Sequence, residues 1–153
     1  MIEIALLADH LEVIPTLSQW FRTQWPDYYA KRTLNDISQD FVEEANRSDI
    51  DIRLVAFINN ELAGTITLRE EATWTLPEYQ PGLGGLLVAE QFRGRGVGTE
   101  LVKTSMEVAQ EQGYKRVYAT TTNARGILER LGWKQVQVTL PDEEHGLLYK
   151  YEF

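Results

Sequence analysis

The chain has 153 residues and no cysteine, so disulfides, thiolate metal sites and a cysteine nucleophile are all excluded. With 43% hydrophobic and 25% charged residues it has the composition of an ordinary globular domain, and its length suits a single domain that buries its own core. The formal net charge of −8 argues against nucleic-acid binding, which needs a basic face, and is compatible with a cationic substrate or with simple solubility.

The opening stretch MIEIALLADHLEV lacks a basic leader, and Asp9, His10 and Glu12 interrupt its apolar run, so it reads as fold rather than signal peptide. No apolar run approaches the ~18 residues of a membrane span. A cytoplasmic protein with no membrane partner is expected. Residues 2–7, short and β-branched, predict a strand. Residues 11–25 predict a helix with Ile14, Leu17, Trp20 and Phe21 on one face, broken by Pro26 and Asp27. Thr33 is the expected N-cap of a second helix carrying Leu34, Ile37, Phe41, Val42 and Ala45, with Asp36 where a capping box would place Glu.

From residue 52 the period changes to two. Ile52, Leu54, Ala56 and Ile58 alternate with Asp51, Arg53, Val55 and Phe57, so both faces of this strand read as partly buried. Asn59-Asn60 predicts a tight hairpin turn, because Asn tolerates positive φ, and residues 62–68 return as a strand. Residues 70–82 read as a loop, 84–88 as a strand, and 90–98 as a glycine-rich turn. Residues 99–112 predict a helix with Leu101, Val102, Ser105, Val108 and Ala109 in one stripe, closed by Gly113. A strand at 115–121, a short helix at 124–131 ending at Gly132, and strands at 133–140 and 147–153 complete the order βααβββαβαββ. That order predicts an α+β fold with a mixed sheet.

The turn is the most informative segment. A strand runs through Leu86-Leu87-Val88 into Gln91-Phe92-Arg93-Gly94-Arg95-Gly96-Val97-Gly98, and a strong helix follows at once. Several backbone N–H groups are therefore presented at a helix N-terminus, where unpaired donors and the positive end of the helix dipole suit a phosphate. Glycines let the backbone approach an anion closely, and Arg93 and Arg95 add positive charge. The P-loop pattern is excluded, because Val97-Gly98-Thr99 follows Gly96 where Lys and then Ser or Thr are required. The spacing G-x-G-x-G also differs from the dinucleotide fingerprint G-x-G-x-x-G. From the glycines alone, a phosphate cradle and a plain helix-capping turn stand equally open.

The residues of this turn resemble the acetyl-CoA loop of the GNAT superfamily of N-acetyltransferases. Its pattern, [Q/R]-x-x-G-x-[G/A], is met in overlapping frames by Gln91, Gly94 and Gly96 and by Arg93, Gly96 and Gly98. Downstream, a strand at 116–121, Asn123 and a short helix ending Leu131-Gly132-Trp133 look like the second motif of that superfamily. The resemblance implies one GNAT-like domain over residues 1–153, with a central, mostly antiparallel mixed sheet flanked by about four helices. It implies acetyl-CoA as co-substrate, no metal, and transfer of the acetyl group to a primary amine of a small molecule, polyamine or peptide N-terminus by direct attack in a ternary complex. The N–H groups of residues 93–98 are expected to hold the pyrophosphate. Strand residues Leu86, Leu87 and Val88 are expected to pair with the pantetheine arm, and an N–H near Val88 to stabilise the oxyanion. With Gln91, Arg93, Gly94, Arg95, Gly96, Val97, Gly98, Thr99 and Asn123 they make up the expected cofactor site.

The catalytic roles depart from the superfamily pattern. Leu128 stands where many relatives carry a tyrosine that protonates the leaving thiolate, and Leu83 and Gly84 stand where several carry a glutamate base. Glu70 and Glu71 are the expected bases and Tyr118 the expected acid, with Glu78 and Tyr149 as further options. Asn123 reads equally as a helix N-cap. Trp74 and Tyr79 are candidates for the acceptor wall, and Asp142, Glu143 and Glu144 for steering a cationic acceptor; each of these also reads as ordinary loop structure. His10 and His145 are expected on the surface, Trp20 in the core. The partner expected is an amine acceptor, and the assembly a monomer or homodimer. The departures keep a second reading open, a non-catalytic acyl-CoA sensor.

Overall fold

The computed structural model describes the whole chain apart from Trp74, Thr122, Thr139 and residues 141–145. The expectations placed on Trp74, Asp142, Glu143, Glu144 and His145 lie outside the described residues. One sheet in the order β1-β2-β3-β4-β5-β7-β6 organises the molecule. Its strands are β1 (Ile2–Leu6), β2 (Ile52–Ile58), β3 (Glu61–Arg69), β4 (Gly82–Val88), β5 (Arg116–Thr121), β6 (Lys134–Gln135) and β7 (Leu147–Glu152). Every neighbouring pair is antiparallel except β4 and β5. The α+β fold with a mostly antiparallel mixed sheet and four helices is the one expected.

Helices α1 (Ile14–Gln24) and α2 (Leu34–Glu43) cover one face, where Leu17, Phe21, Ile37, Phe41, Val55 and Leu87 form a core. Helices α3 (Val97–Glu111) and α4 (Arg125–Arg130) cover the other, over Leu54, Ile66, Leu83, Leu101, Val102, Val117 and Leu128. Both faces of β2 and β3 are therefore buried, as the apolar residues on both faces of β2 anticipate.

Several boundaries differ from the sequence expectation. Residues 11–13 form a 3-10 turn, and α1 begins at Ile14 with Pro15 at the start of the helix, where a missing N–H costs nothing. Asp36 closes a complete capping box: its carboxylate accepts from the Thr33 N–H at 3.0 Å and its own N–H donates to Thr33 Oγ1 at 3.1 Å. A glutamate is not needed there. Val42 is 50% exposed and leaves the apolar stripe of α2, which rests on Ile37 and Phe41. Asn59 and Asn60 hold φ of 51° and 66°, the hairpin conformation expected of them. Strand β4 begins at Gly82, two residues earlier than its apolar run suggests, because Gly82 and Gly84 pair with Arg69 and Thr67 of β3.

The register of β4 controls the site. It pairs with β3 as Leu83↔Leu68 and Gly84↔Thr67, then as Leu87↔Thr65 and Val88↔Gly64. One extra residue therefore stands on β4 between Gly84 and Leu87, a β-bulge, and Gly85 holds it with φ of 58°. On its other edge β4 pairs with β5 only at Gly82↔Tyr118 and Leu83↔Ala119. Beyond the bulge the two parallel strands part and leave a wedge in the middle of the sheet.

Candidate active site

The wedge opens into a cavity of about 660 Å³. Leu83, Gly84, Gly85, Leu86 and Val88 line its β4 wall, Ala119, Thr120 and Thr121 its β5 wall. The loop and first turn of α3 close one end through Arg93, Gly94, Gly96, Val97, Gly98 and Thr99, while Asn123, Ile127 and Leu128 approach from α4 and the segment before it. Gln24 and Trp25, at the end of α1, line it from the opposite face of the sheet.

The loop end is built for an anion. Gly94 and Gly96 adopt φ of 78° and 85°, a region costly to any residue with a Cβ, and open space surrounds both where a Cβ would sit. Gly96 is the N-cap of α3, and no side chain caps that helix. The first intrahelical bond is from the Glu100 N–H to the Gly96 carbonyl, at 3.0 Å, so the amides of the first turn of α3 lie ahead of the helical ladder. The Arg93 N–H, expected among the phosphate donors, is instead committed to the Glu90 carbonyl at 3.3 Å. Arg93 folds back and donates Nε to the Val88 carbonyl at 3.1 Å, which pins the loop to the end of β4.

The wedge end offers further donors. Ala89 N–H donates to the Ala63 carbonyl at 2.8 Å. By the alternation of an antiparallel ladder the N–H of Val88, one residue earlier, points away from β3 and into the wedge. An extended ligand with an anionic group in its middle fits this arrangement: phosphate at the α3 N-terminus, an arm between the parted strands, and a reactive end near Gly84 and Gly85. Among the described residues the lining contains no Asp, Glu, His or Tyr.

The family profile described as the Acetyltransferase (GNAT) family matches residues 14–133. The chain belongs to that family. The human protein N-acetyltransferase 8B is 28% identical over 141 residues, an alignment covering 86% of this chain. The chain spans 60% of the length of that relative. An aminoglycoside 6'-N-acetyltransferase solved in complex with coenzyme A superposes with a TM-score of 0.76 at 18% identity, over 98% of this chain and 96% of its own. A putative streptothricin acetyltransferase from Bacillus anthracis, solved with acetyl coenzyme A, gives a TM-score of 0.60 at 20% identity, over 74% and 68% of the two chains. At these identities the two structures share the GNAT fold with this chain.

The residues expected for the cofactor divide into two groups. Leu86, Val88, Arg93, Gly94, Gly96, Val97, Gly98, Thr99 and Asn123 line the cavity; Leu87, Gln91 and Arg95 do not. The bulge turns Leu87 into the core beneath α1 and α2. Gln91 is exposed, and Arg95 lies over the Phe92 ring at 5.6 Å. Asn123 does not cap α4: the Thr121 hydroxyl takes the Ala124 N–H at 2.7 Å, and Asn123 is left exposed at the cavity rim.

The catalytic candidates sit at the closed end of the wedge, outside the cavity lining. Glu70 is exposed and Glu71 half-buried, and the backbone of residues 71–72 lies directly over Gly82, where β4 and β5 still pair. Tyr118 is buried on the same side of the sheet, against Ala72, Leu148 and the edge of Tyr79 at 5.2 Å. Tyr79 is thus committed to Tyr118 rather than to the cavity wall. Glu78 is exposed in the same loop. Tyr149 is buried with its hydroxyl donated to Glu129 Oε2 at 2.7 Å, away from the cavity. Leu128 is 2% exposed, a wall residue without a proton to give.

Sequence reading missed a polar group under the α1–α2 face. The Arg69 guanidinium occupies the space a side chain at Gly84 would need, and it donates Nε and Nη2 to the carbonyls of Glu71 and Ala72, each at 3.0 Å. Burial, reinforced by Arg53, pulls its pKa below the ordinary guanidinium value. Burial and then Glu44 raise the pKa of Asp51. Burial and then Tyr28 push the Tyr29 phenol up to about 12. Arg53, 3% exposed, donates to Glu44 Oε2 and to Thr65 Oγ1 at 3.0 Å each. The one signal for it was a charged residue inside a strand whose two faces are both apolar.

Proposed function

We propose that the protein is an acetyl-CoA-dependent N-acetyltransferase acting on a primary amine of a small molecule, polyamine or peptide N-terminus. The observation that carries this reading is the wedge itself: two parallel strands parted at a glycine bulge, with an uncapped helix N-terminus at the open end. Membership of the family supports acetyl transfer, and neighbouring structures hold coenzyme A or its acetyl form.

The donors of the loop and first turn of α3 fit a pyrophosphate, and the parted edges of β4 and β5 fit a pantetheine arm. Acetyl-CoA supplies an activated thioester, which the acceptor amine attacks directly. The Val88 N–H, turned into the wedge, meets the negative charge that develops on the acyl oxygen; such preorganised donors are among the strongest single contributions to acyl transfer. Trp25, 37% exposed at the far side of the cavity, presents an aromatic face to an arriving cation or apolar side chain. Glu70 and Glu71, at the closed end, take the ammonium proton through water, and the coenzyme thiolate leaves with a proton from water or Tyr118.

Coenzyme A release measured across a panel of amines tests this directly, with turnover on at least one primary amine expected. A second reading, an acyl-CoA sensor without turnover, is favoured by one observation: among the described residues the cavity wall carries Leu128 and no carboxylate, imidazole or phenol. It predicts thermal stabilisation by acetyl-CoA and no release of coenzyme A with any amine.

A further inference from the structure

We propose that Arg53 is a positioning residue for acetyl transfer, fixing the peptide between Gly85 and Leu86 so that the Leu86 N–H points into the wedge. This rests on the reading of the chain as an acetyltransferase.

Gly85 is the extra residue of the bulge, so its carbonyl has no place in the β3 ladder. Arg53 reaches it from β2, across β3, and donates Nη1 at 3.3 Å. The guanidinium that does so has little freedom. It lies over the rings of both Phe21 and Phe41, 5.1 and 5.0 Å from their centroids, and those rings meet edge to face at 4.9 Å. Glu44 and Thr65 hold its two ends, and the Thr65 hydroxyl is itself anchored on the Leu54 carbonyl at 2.7 Å. A Cβ on Gly85 would come within 2.8 Å of Nη2, so strand and guanidinium are in direct contact.

Geometry does the rest. In a trans peptide the carbonyl and the following N–H point in opposite directions. With the Gly85 carbonyl drawn toward α1 and α2, the Leu86 N–H is turned toward the α3 side, where Leu86 lines the cavity. It becomes a second donor beside Val88 at the reactive end. A buried arginine held over two aromatic rings and by an ion pair fixes this peptide more firmly than a lone hydrogen bond.

The test compares the wild type with Arg53→Met and Arg53→Lys. Three readouts are followed: steady-state kinetics, coenzyme A affinity, and the carbonyl stretch of bound acetyl-CoA labelled with carbon-13 at the thioester carbonyl. In Arg53→Met, kcat is expected to fall about 10- to 100-fold, somewhat less than the roughly 100- to 1,000-fold cost of removing an oxyanion donor outright. Coenzyme A affinity should stay within about 3-fold, because the phosphate site lies at the other end of the wedge. The carbonyl band should move toward that of free acetyl-CoA, and Arg53→Lys should recover part of both effects. An unmoved band, an unchanged kcat, or parallel losses of kcat and affinity would each overturn the proposal. Failure of both variants to fold would also overturn it, since Arg53 would then serve the fold rather than the site. If the wild type binds acetyl-CoA yet turns over no amine, the functional reading fails, and the carbonyl band still decides the role of Arg53.

Discussion

Leu83 and Leu87 lie four residues apart on β4, yet Leu83 packs beneath α3 and Leu87 beneath α1 and α2. In a regular strand residues i and i+4 share a face. The single extra residue at Gly85 reverses the parity, and the same irregularity marks where β4 parts from β5. Packing and cavity thus have one origin, a glycine that can hold φ of 58°.

Replacing that glycine tests the link. Gly85→Ala puts a Cβ into a left-handed conformation, at a cost of about 1–2 kcal/mol, and against Arg53. Chemical denaturation is expected to register a loss of at least that size. Turnover should fall more than coenzyme A affinity, because the disturbed peptide lies at the reactive end and not at the phosphate end.

The phosphate end answers to a different substitution. Gly96→Asp places a carboxylate at the N-cap of α3, and Asp visits the left-handed region more readily than most residues. The fold should survive, since open space surrounds the site of the new Cβ. Calorimetry is expected to record a drop in coenzyme A affinity of more than about 10-fold, because the carboxylate competes with the phosphate for the same donors and repels it.

Much of the fold is legible in the sequence. Alternation in residues 52–58, the Asn59-Asn60 turn and the stripe of α3 follow from periodicity, which local side-chain direction enforces. The glycine turn announces the positive φ of Gly94 and Gly96, because backbone freedom is written in glycine; from the glycines alone a phosphate cradle and a helix-capping turn stand equally open, and the resemblance favours the cradle. The bulge was not legible: a run of Gly82, Leu83, Gly84 and Gly85 does not say which residue is left out of the ladder, since pairing with β3 decides it. Nor was the commitment of Tyr118 to Tyr79, or of Arg69 to Gly84, because such contacts join segments distant in sequence. The resemblance places the backbone of Leu86, Leu87 and Val88 along the cofactor arm, and it does not say that the bulge sends the Leu87 side chain into the core beneath α1 and α2.

Leu128 is a core residue as well as a wall residue, 2% exposed and part of the cluster that also holds Leu101 and Val102 of α3 and Tyr149 of β7. Leu128→Ala should cost about 2–5 kcal/mol, the range for a large-to-small change in a packed core. Urea denaturation measures it. A loss below about 1 kcal/mol would mean that α4 collapses onto the space and that the wall is softer than described.

Acid titration separates the α4 anchor from the rest. The Tyr149 hydroxyl, then Arg125, hold the Glu129 carboxyl below its ordinary value of 4.5. Its folded pKa is depressed, so the stability it contributes is fully present above 4.5 and fades as pH falls through that value toward the lower folded one. Thermal melts of the wild type and Glu129→Gln should differ near neutral pH, with the wild type higher. The two should converge in acid once both the folded and unfolded carboxyl groups are protonated.

The central claim, that the wedge between β4 and β5 receives acetyl-CoA with its pyrophosphate at the start of α3, is tested most directly by a crystal structure with coenzyme A. The account predicts pyrophosphate oxygens within hydrogen-bond distance of the backbone N–H groups between Gly94 and Thr99, with the pantetheine arm running between Val88 and Thr121 toward Gly84. Coenzyme A bound elsewhere, or a pantetheine arm outside the parted strands, would contradict it.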